Sequence, residues 1–548
     1  MNPKVKLEAA TRQRPRTLLA ALGLGAALTL GACAPPPEEP SESTSLDSFG
    51  YAVPSVLETS NTGTLEGASN GALLLSTRLY PGVYIPGPSG QMIPNSDLMQ
   101  HQVLPGANRQ VIYTIADDAT YSDGTPVTCT DYLLSYKAGV LEALFGSHLP
   151  LTQQVERMDC NPGSKRFTVV FQEGKGDRWR QLFGPGSVLP AHAIAGKAGM
   201  STGELHTALM DENWEALAEP ARIWREGFRL SEFDPELQVS SGPFKIESVG
   251  ERGEVTLVAN DTFYGDPPAL DRLVVWPEDV AKTELVEQGA LRVAEADTYD
   301  WVDRDDPMNP YEIEQSVGQL TETLTLGNAG VFYSWDARQA FAACVDQRAV
   351  AAASSAVSGI EVPPVATHVV SHDDPVARQL TEVTEPHLET NPTVAAPYAG
   401  MTVRIGYQGP DERKAAMVEA IRDSCEPMGI TVLDAAAEGS TLADLNRTLT
   451  GQWGEEIHRE GAIDAVLREV DPQMEYAEVA PDVGDVPGLR EAEEQLWEQV
   501  PAIPLAAQPR TFVIDGDVGN VVVYTGLSGI GWNMDRWRYD GPERQEEE

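Results

Sequence analysis

Eight histidines, five cysteines and a large excess of carboxylates are the chemistry-bearing residues of this 548-residue chain. Their spacing argues against most catalysis. No His-Glu-x-x-His pair is present to hold zinc, and no Gly-x-Ser-x-Gly elbow to present a nucleophilic serine. Gly184-Pro185-Gly186 lacks the Lys-Ser/Thr ending that cradles a phosphate. Asp117-Asp118 and Asp373-Asp374 are paired carboxylates, but in so acidic a chain adjacency alone does not indicate acid/base work. His368 and His372 have the spacing of one helical face, yet Val369-Val370 and the Asp-Asp-Pro that follows predict a loop. No catalytic residue, metal site or cofactor is expected, so the chain is read as a non-enzyme.

The cysteines point to an address. Lys4 to Arg16 is a basic stretch, Leu18 to Ala32 is apolar, and Leu30-Gly31-Ala32-Cys33 resembles a bacterial lipobox. The charged, apolar and small-residue regions follow the order of a secretory signal. The apolar run is also shorter than the roughly 20 residues of a spanning helix. The expectation is a signal peptide over residues 1–32 and a lipid-anchored Cys33 on the outer face of the cell membrane. An ordinary signal with an incidental cysteine is the alternative. Cys129, Cys160, Cys344 and Cys425 then remain, an even number suited to an oxidising compartment. Four thiols allow three pairings. Cys129 with Cys160 and Cys344 with Cys425 are favoured, because each pair falls within one candidate lobe and closes a modest loop; four buried thiols are the other reading.

Asp plus Glu number 83 against 39 for Lys plus Arg, a formal net charge of −44. Such a surface repels phosphate backbones, which excludes nucleic acid as a partner. It also repels anionic lipid, leaving membrane attachment to the anchor alone. Residues 33–49, rich in Pro, Glu, Ser and Thr, predict a flexible tether, and 541–548 an acidic tail.

Between these ends the pattern is α/β. Val111 to Ile115 and Phe167 to Phe171 predict strands, and Asp131 to Leu144 a helix capped by Thr130 or Asp131. Thr402 to Tyr407, a helix from Asp411 to Cys425, and Gly429 to Leu433 predict a βαβ unit. A helix over Glu491 to Gln499 precedes an extended run from Pro504. Residues 373–400 predict a long loop.

Tyr113 to Thr128, which reads Tyr-Thr-Ile-Ala-Asp-Asp-Ala-Thr-Tyr-Ser-Asp-Gly-Thr-Pro-Val-Thr, is similar to the signature stretch of the family 5 solute-binding proteins. These are the peptide, oligopeptide and nickel receptors of ABC importers. Val188-Leu189-Pro190-Ala191-His192, Ser241 to Ile246, Leu257 to Gly265, Ala269 to Leu273, Ala337 to Phe341 with Asp346 and Arg348, Met428 to Val432, and Ile503-Pro504-Leu505 resemble further segments in the family's order.

The resemblance implies a two-lobed periplasmic-binding-protein-like fold of type II, in the large cluster with an extra subdomain, built on mixed sheets. Lobe one is discontinuous, over 50–272 and 502–540, and lobe two covers 273–501. The chain would leave lobe one near Asp271 and return near Pro501. It also implies a monomer whose partners are a peptide or other small polar solute and the ABC permease; a non-transporting envelope sensor or scaffold of the same descent is the alternative. In the peptide-binding branch an Asp of lobe two pairs with the ligand's ammonium. Asp464 matches the first Asp of that stretch, and Asp471 stands at the ammonium position; the family's Trp and Tyr are missing there, and a helix cap or solvated carboxylate is the competing role for both. Tyr80, Tyr84, Trp301, Trp335, Trp453 and Trp532 are the aromatic cleft candidates, each with a place in the core as its alternative.

Overall fold

Two long strands, Tyr311–Leu326 and Ala502–Asp515, carry the architecture. They pair antiparallel along most of their length, with register breaks between Val317 and Thr321 and between Glu322 and Thr323. The computed structural model describes residues 49–539, so Cys33, the signal peptide and the acidic tail lie outside the described residues.

The two runs sit in the middle of a ten-stranded mixed sheet. Beyond Ala502–Asp515 come Leu291–Glu295, Phe49–Ala52, Arg272–Trp276, Val255–Ala259 and Phe244–Val249. Beyond Tyr311–Leu326 come Ala465–Val470, Thr402–Tyr407 and Thr431–Asp434. Residues 512–514 pair with 293–295 in the first half, whereas 321–326 pair with 465–470 in the second. The chain therefore changes halves at the register break after Val317. Gly318 sits in that break, where an added Cβ would meet Arg510 Cγ at 2.8 Å and the Gln508 carbonyl at 3.0 Å. The close approach of the two crossing strands needs a residue without a side chain.

Each half has its own core. Tyr113, Tyr132, Phe167, Trp224 and Trp537 centre the first, and Leu324, Phe341, Ile405, Met417 and Ile503 the second. Cys129 is bonded to Cys160 inside the first and Cys344 to Cys425 inside the second. A separate antiparallel sheet of Met99–Leu104, Asn108–Ile115, Arg166–Glu173 and Val155–Cys160 extends the first half. The fold is a two-lobed mixed α/β arrangement.

Three expectations are corrected. The resemblance implies a crossing near Asp271, but Arg272–Trp276 and Leu291–Glu295 both still pair with Phe49–Ala52; the Gly/Pro marks of that region are turns between strands of one half. The helix expected from Asp131 begins at Cys129, because Thr128 is the cap and the Asp131 carboxylate accepts from the Thr128 N–H at 2.7 Å, forming a capping box. Residues 373–400 hold a series of single-turn helices, Ala377–Gln379, Thr381–Thr384, Glu385–Leu388 and Pro392–Ala395 among them.

Candidate functional site between the lobes

Phe49–Ala52, Arg272–Trp276 and Leu291–Glu295 run parallel, so their carboxyl ends leave the sheet on one edge. Pro54 follows the first by two residues, Glu278 the second and Asp297 the third, and all three line one cavity. From the second lobe, Asp411, Arg413 and Lys414 face the same space from the start of the helix Glu412–Cys425, and Glu469 from the end of Ala465–Val470. Ligand sites of α/β sheets lie outside the carboxyl ends of strands. This polar chamber meets a second one, with Ala68, Asn70, Glu469 and Leu527 on both walls. The second is apolar, lined by Leu73, Leu149, Leu151, Leu182, Phe183 and Met474.

The charges of the polar chamber are mostly matched. Arg413 is paired with Glu322, Lys414 with Glu469 at 2.9 Å, and Arg510 with Glu295. Burial pushes the Glu469 carboxyl up, but Lys414 and Arg413 outweigh it and hold the group below its usual range. Asp411 caps its helix, accepting from the Lys414 N–H at 2.8 Å.

The lobes touch directly around the chambers. Arg468 donates to the Ala68 carbonyl at 3.2 Å, the Leu442 N–H to Ser69 Oγ at 2.9 Å, and Arg459 to the Ala143 carbonyl at 3.2 Å. Leu65 joins Leu442, Leu445 and Ile463 in an apolar contact.

Of the residues singled out by sequence, Asp471 lines the apolar chamber and Trp301 a recess that shares Glu278, Asp297 and Arg413 with the polar one. Asp471 caps the short helix Pro472–Glu475, accepting from the Gln473 N–H at 2.8 Å, and burial raises its pKa. Asp464 is held elsewhere: Arg404 Nε and Nη2 each donate to it at 3.0 Å, and the Arg404 N–H at 2.9 Å. Tyr80 and Tyr84 are buried in the first core, Tyr84 against His101 and Trp179. Trp532 donates to the Val522 carbonyl, Trp335 begins the helix Trp335–Ala342 half exposed, and Trp453 is 82% exposed at a hairpin tip. Both ring nitrogens of His368 face acceptors, Glu493 at 2.9 Å and the Ala502 carbonyl at 3.1 Å, which leaves none for a metal. Sequence reasoning missed Glu278, Asp297, Arg413, Lys414 and Glu469.

The family model of the bacterial extracellular solute-binding proteins, family 5, middle region, matches residues 106–467. The chain belongs to that family. Its relatives include an uncharacterized lipoprotein, Rv2585c, of Mycobacterium tuberculosis, 30% identical over 96% of this chain and 99% of the relative. Another, the uncharacterized lipoprotein ML0489 of Mycobacterium leprae, is 28% identical over 89% of this chain and 92% of its own length. Among solved structures, the oligopeptide-binding protein AppA of Bacillus subtilis with a nonapeptide superposes with a TM-score of 0.63 at 13% identity, covering 90% of this chain and 99% of that one. The periplasmic EDTA-binding protein EppA gives 0.61 at 17%, covering 90% and 97%. At such identities these structures share the fold. Among the described residues no helix is long and apolar enough to cross a membrane.

Proposed function

We infer that this family 5 chain is the solute-binding subunit of an ABC importer, lipid-anchored through Cys33 outside the cell, which captures a short peptide or related polar solute between its lobes. The observation that carries this reading is the pair of joined chambers whose walls come from both lobes, at the strand ends flanking the crossing strands. A solute touching both walls stabilises the closed form, and the permease reads that form. To swing an open-to-closed ratio from 99:1 to 1:99 the solute needs about 5.5 kcal/mol of preference for closure.

Native mass spectrometry of the full chain in detergent tests it. Small solutes released only on denaturation, or a melting temperature raised by peptide pools, support capture; a chain unmoved by peptides, sugars and amines rejects it. The sensor or scaffold reading draws on the commitment of Asp464 to Arg404 and of Asp471 to a helix cap. Uptake of labelled solute that depends on the chain would reject that alternative.

A further inference from the structure

His368 and Glu493 form a fully buried pair in the second lobe, lining neither chamber. The ring Nδ1 meets the Glu493 carboxylate at 2.9 Å and Nε2 meets the Ala502 carbonyl at 3.1 Å. A carboxylate and a carbonyl both accept, so both contacts are hydrogen bonds only when both ring nitrogens carry a proton. A neutral ring turns a lone pair toward one of the two acceptors. It also leaves the Glu493 charge buried without its cation, a costly arrangement. The other Glu493 oxygen accepts from the main-chain N–H groups of His368 and Val369, at 2.7 and 2.9 Å.

The stretch that carries His368 is tied to the crossing strands and to the first lobe. The Val365 N–H donates to the Leu505 carbonyl at 3.0 Å, and the Ala507 N–H to the Pro363 carbonyl at 3.1 Å, so the stretch runs beside Ala502–Asp515. Ser371 Oγ donates to the Gln319 carbonyl at 2.9 Å, inside the register break between Val317 and Thr321. From the first lobe, the buried Arg178 donates to the Val369 carbonyl at 2.9 Å. It also reaches the Gln473 and Pro481 carbonyls, at 3.0 and 2.9 Å, both of the second lobe. Val500, two residues before Ala502, has a φ of 45°, a left-handed conformation that strains a β-branched residue. The Nε2 bond is thus made where the chain needs holding.

The groups around the pair leave His368 as its titrating member. His387 is stacked on Trp497, which also packs against His368; burial first, then His368, push His387 down to about 4. The Tyr476 ring lies 5.3 Å from His368, and burial lifts its phenol well above the usual range. Burial lowers Arg178 to about 10, with Asp471, Asp482, Asp374 and Glu493 opposing, so it stays cationic at neutral pH.

We propose that the buried His368–Glu493 pair is a pH-sensitive switch on lobe closure. When the ring is charged, residues 363–371 are fixed, Val369 seats Arg178 and Ser371 holds the crossing break, which favours the closed form. As pH rises through the imidazole range, one ring proton is lost, the stretch is released and the open form gains. The switch acts on closure itself, whatever solute the cleft takes.

The test compares the full chain in detergent at about pH 5.5 and about pH 8.5, on either side of the imidazole range. Hydrogen exchange, corrected for its intrinsic pH dependence, reads the amides of residues 363–371. Neutron scattering with the detergent matched out reads the separation of the lobes. In the unaltered chain, protection of those amides should fall about tenfold or more at the higher pH, and the radius of gyration should grow. The amides of the core strand Thr402–Tyr407 should keep their protection. His368→Gln and Glu493→Gln should each give the same protection and radius at both pH values. His148→Gln should keep the full response, because its contact with Glu475 is separate. An unaltered chain without the response overturns the switch, as does a response that survives in His368→Gln or is lost in His148→Gln. If the core variants fail to fold, Arg178→Gln decides: the amide response should stay and the radius response disappear. A radius response that persists in Arg178→Gln overturns the switch.

Discussion

His148 Nε2 lies 3.0 Å from Glu475 Oε2, joining the first lobe to the helix that follows the strand Ala465–Val470. Glu475 also pairs with Arg468, whose other nitrogen reaches the Ala68 carbonyl. Burial pushes the Glu475 carboxyl up, but Arg468 and His148 outweigh it and hold the group well below the usual carboxylate range. Such a depressed acid contributes stability present above an unfolded value of about 4.3 and lost as pH falls below it. Glu475→Gln should cost about 3 kcal/mol, because Arg468 is left buried without a charge partner. His148→Ala should cost about 1 kcal/mol and shift the lobes toward the open form. Small-angle scattering would show the larger radius of gyration, and an unchanged profile in both variants would remove the latch.

Glu278 titrates in the opposite sense. Its folded pKa of about 7 lies above the unfolded value, so its contribution is fully present below about pH 4.3 and is lost as pH rises toward 7. Asp297, Asp411, Lys414 and Lys282 are the charged groups acting on it. Glu278→Gln should therefore be more stable than the unaltered chain at pH 8, with the difference shrinking to nothing by about pH 4. Urea midpoints at the two pH values measure this; a variant less stable at pH 8 would contradict it.

The two disulfides close loops of different length, 31 and 81 residues apart in sequence. Loop-closure entropy gives about 4 kcal/mol for each, slightly more for the longer. Replacing Cys344 and Cys425 together by Ser should lower the urea midpoint by somewhat more than replacing Cys129 and Cys160. Insensitivity of the midpoint to reductant would show that the bonds do not form in solution.

What could be read beforehand was local. Thr402–Tyr407, Glu412–Cys425 and Thr431–Asp434 lie within one or two residues of the predicted βαβ unit, since a β-branched run, an Asp cap and a Gly turn mark each boundary. The site was not local. Glu278 and Asp297 follow different strands, and only the parallel pairing of both with Phe49–Ala52 puts them on one edge. Tyr80 and Tyr84 are hidden for a related reason: they have the residue type of a cleft wall, but their neighbours Phe228 and Trp179 come from distant segments and bury them. The crossing was misplaced because Gly and Pro mark hairpin turns as readily as hinges.

Asp464 separates the two kinds of information most sharply. Sequence likeness sets it in the stretch where the peptide-binding branch keeps its ammonium anchor, yet the parallel neighbour strand supplies Arg404, which takes both carboxylate oxygens. Asn446 Nδ2 donates to the same group at 3.0 Å, so little of its hydrogen-bonding capacity is left for a ligand. Asp464→Ala should then cost about 3 kcal/mol of stability, through an orphaned guanidinium and the lost main-chain acceptor. In the fraction that remains folded, affinity for an amine ligand should match that of the unaltered chain. Measuring this variant by melting and by calorimetry decides the matter: loss of affinity in Asp464→Ala without loss of stability would make Asp464 an anchor of the ligand.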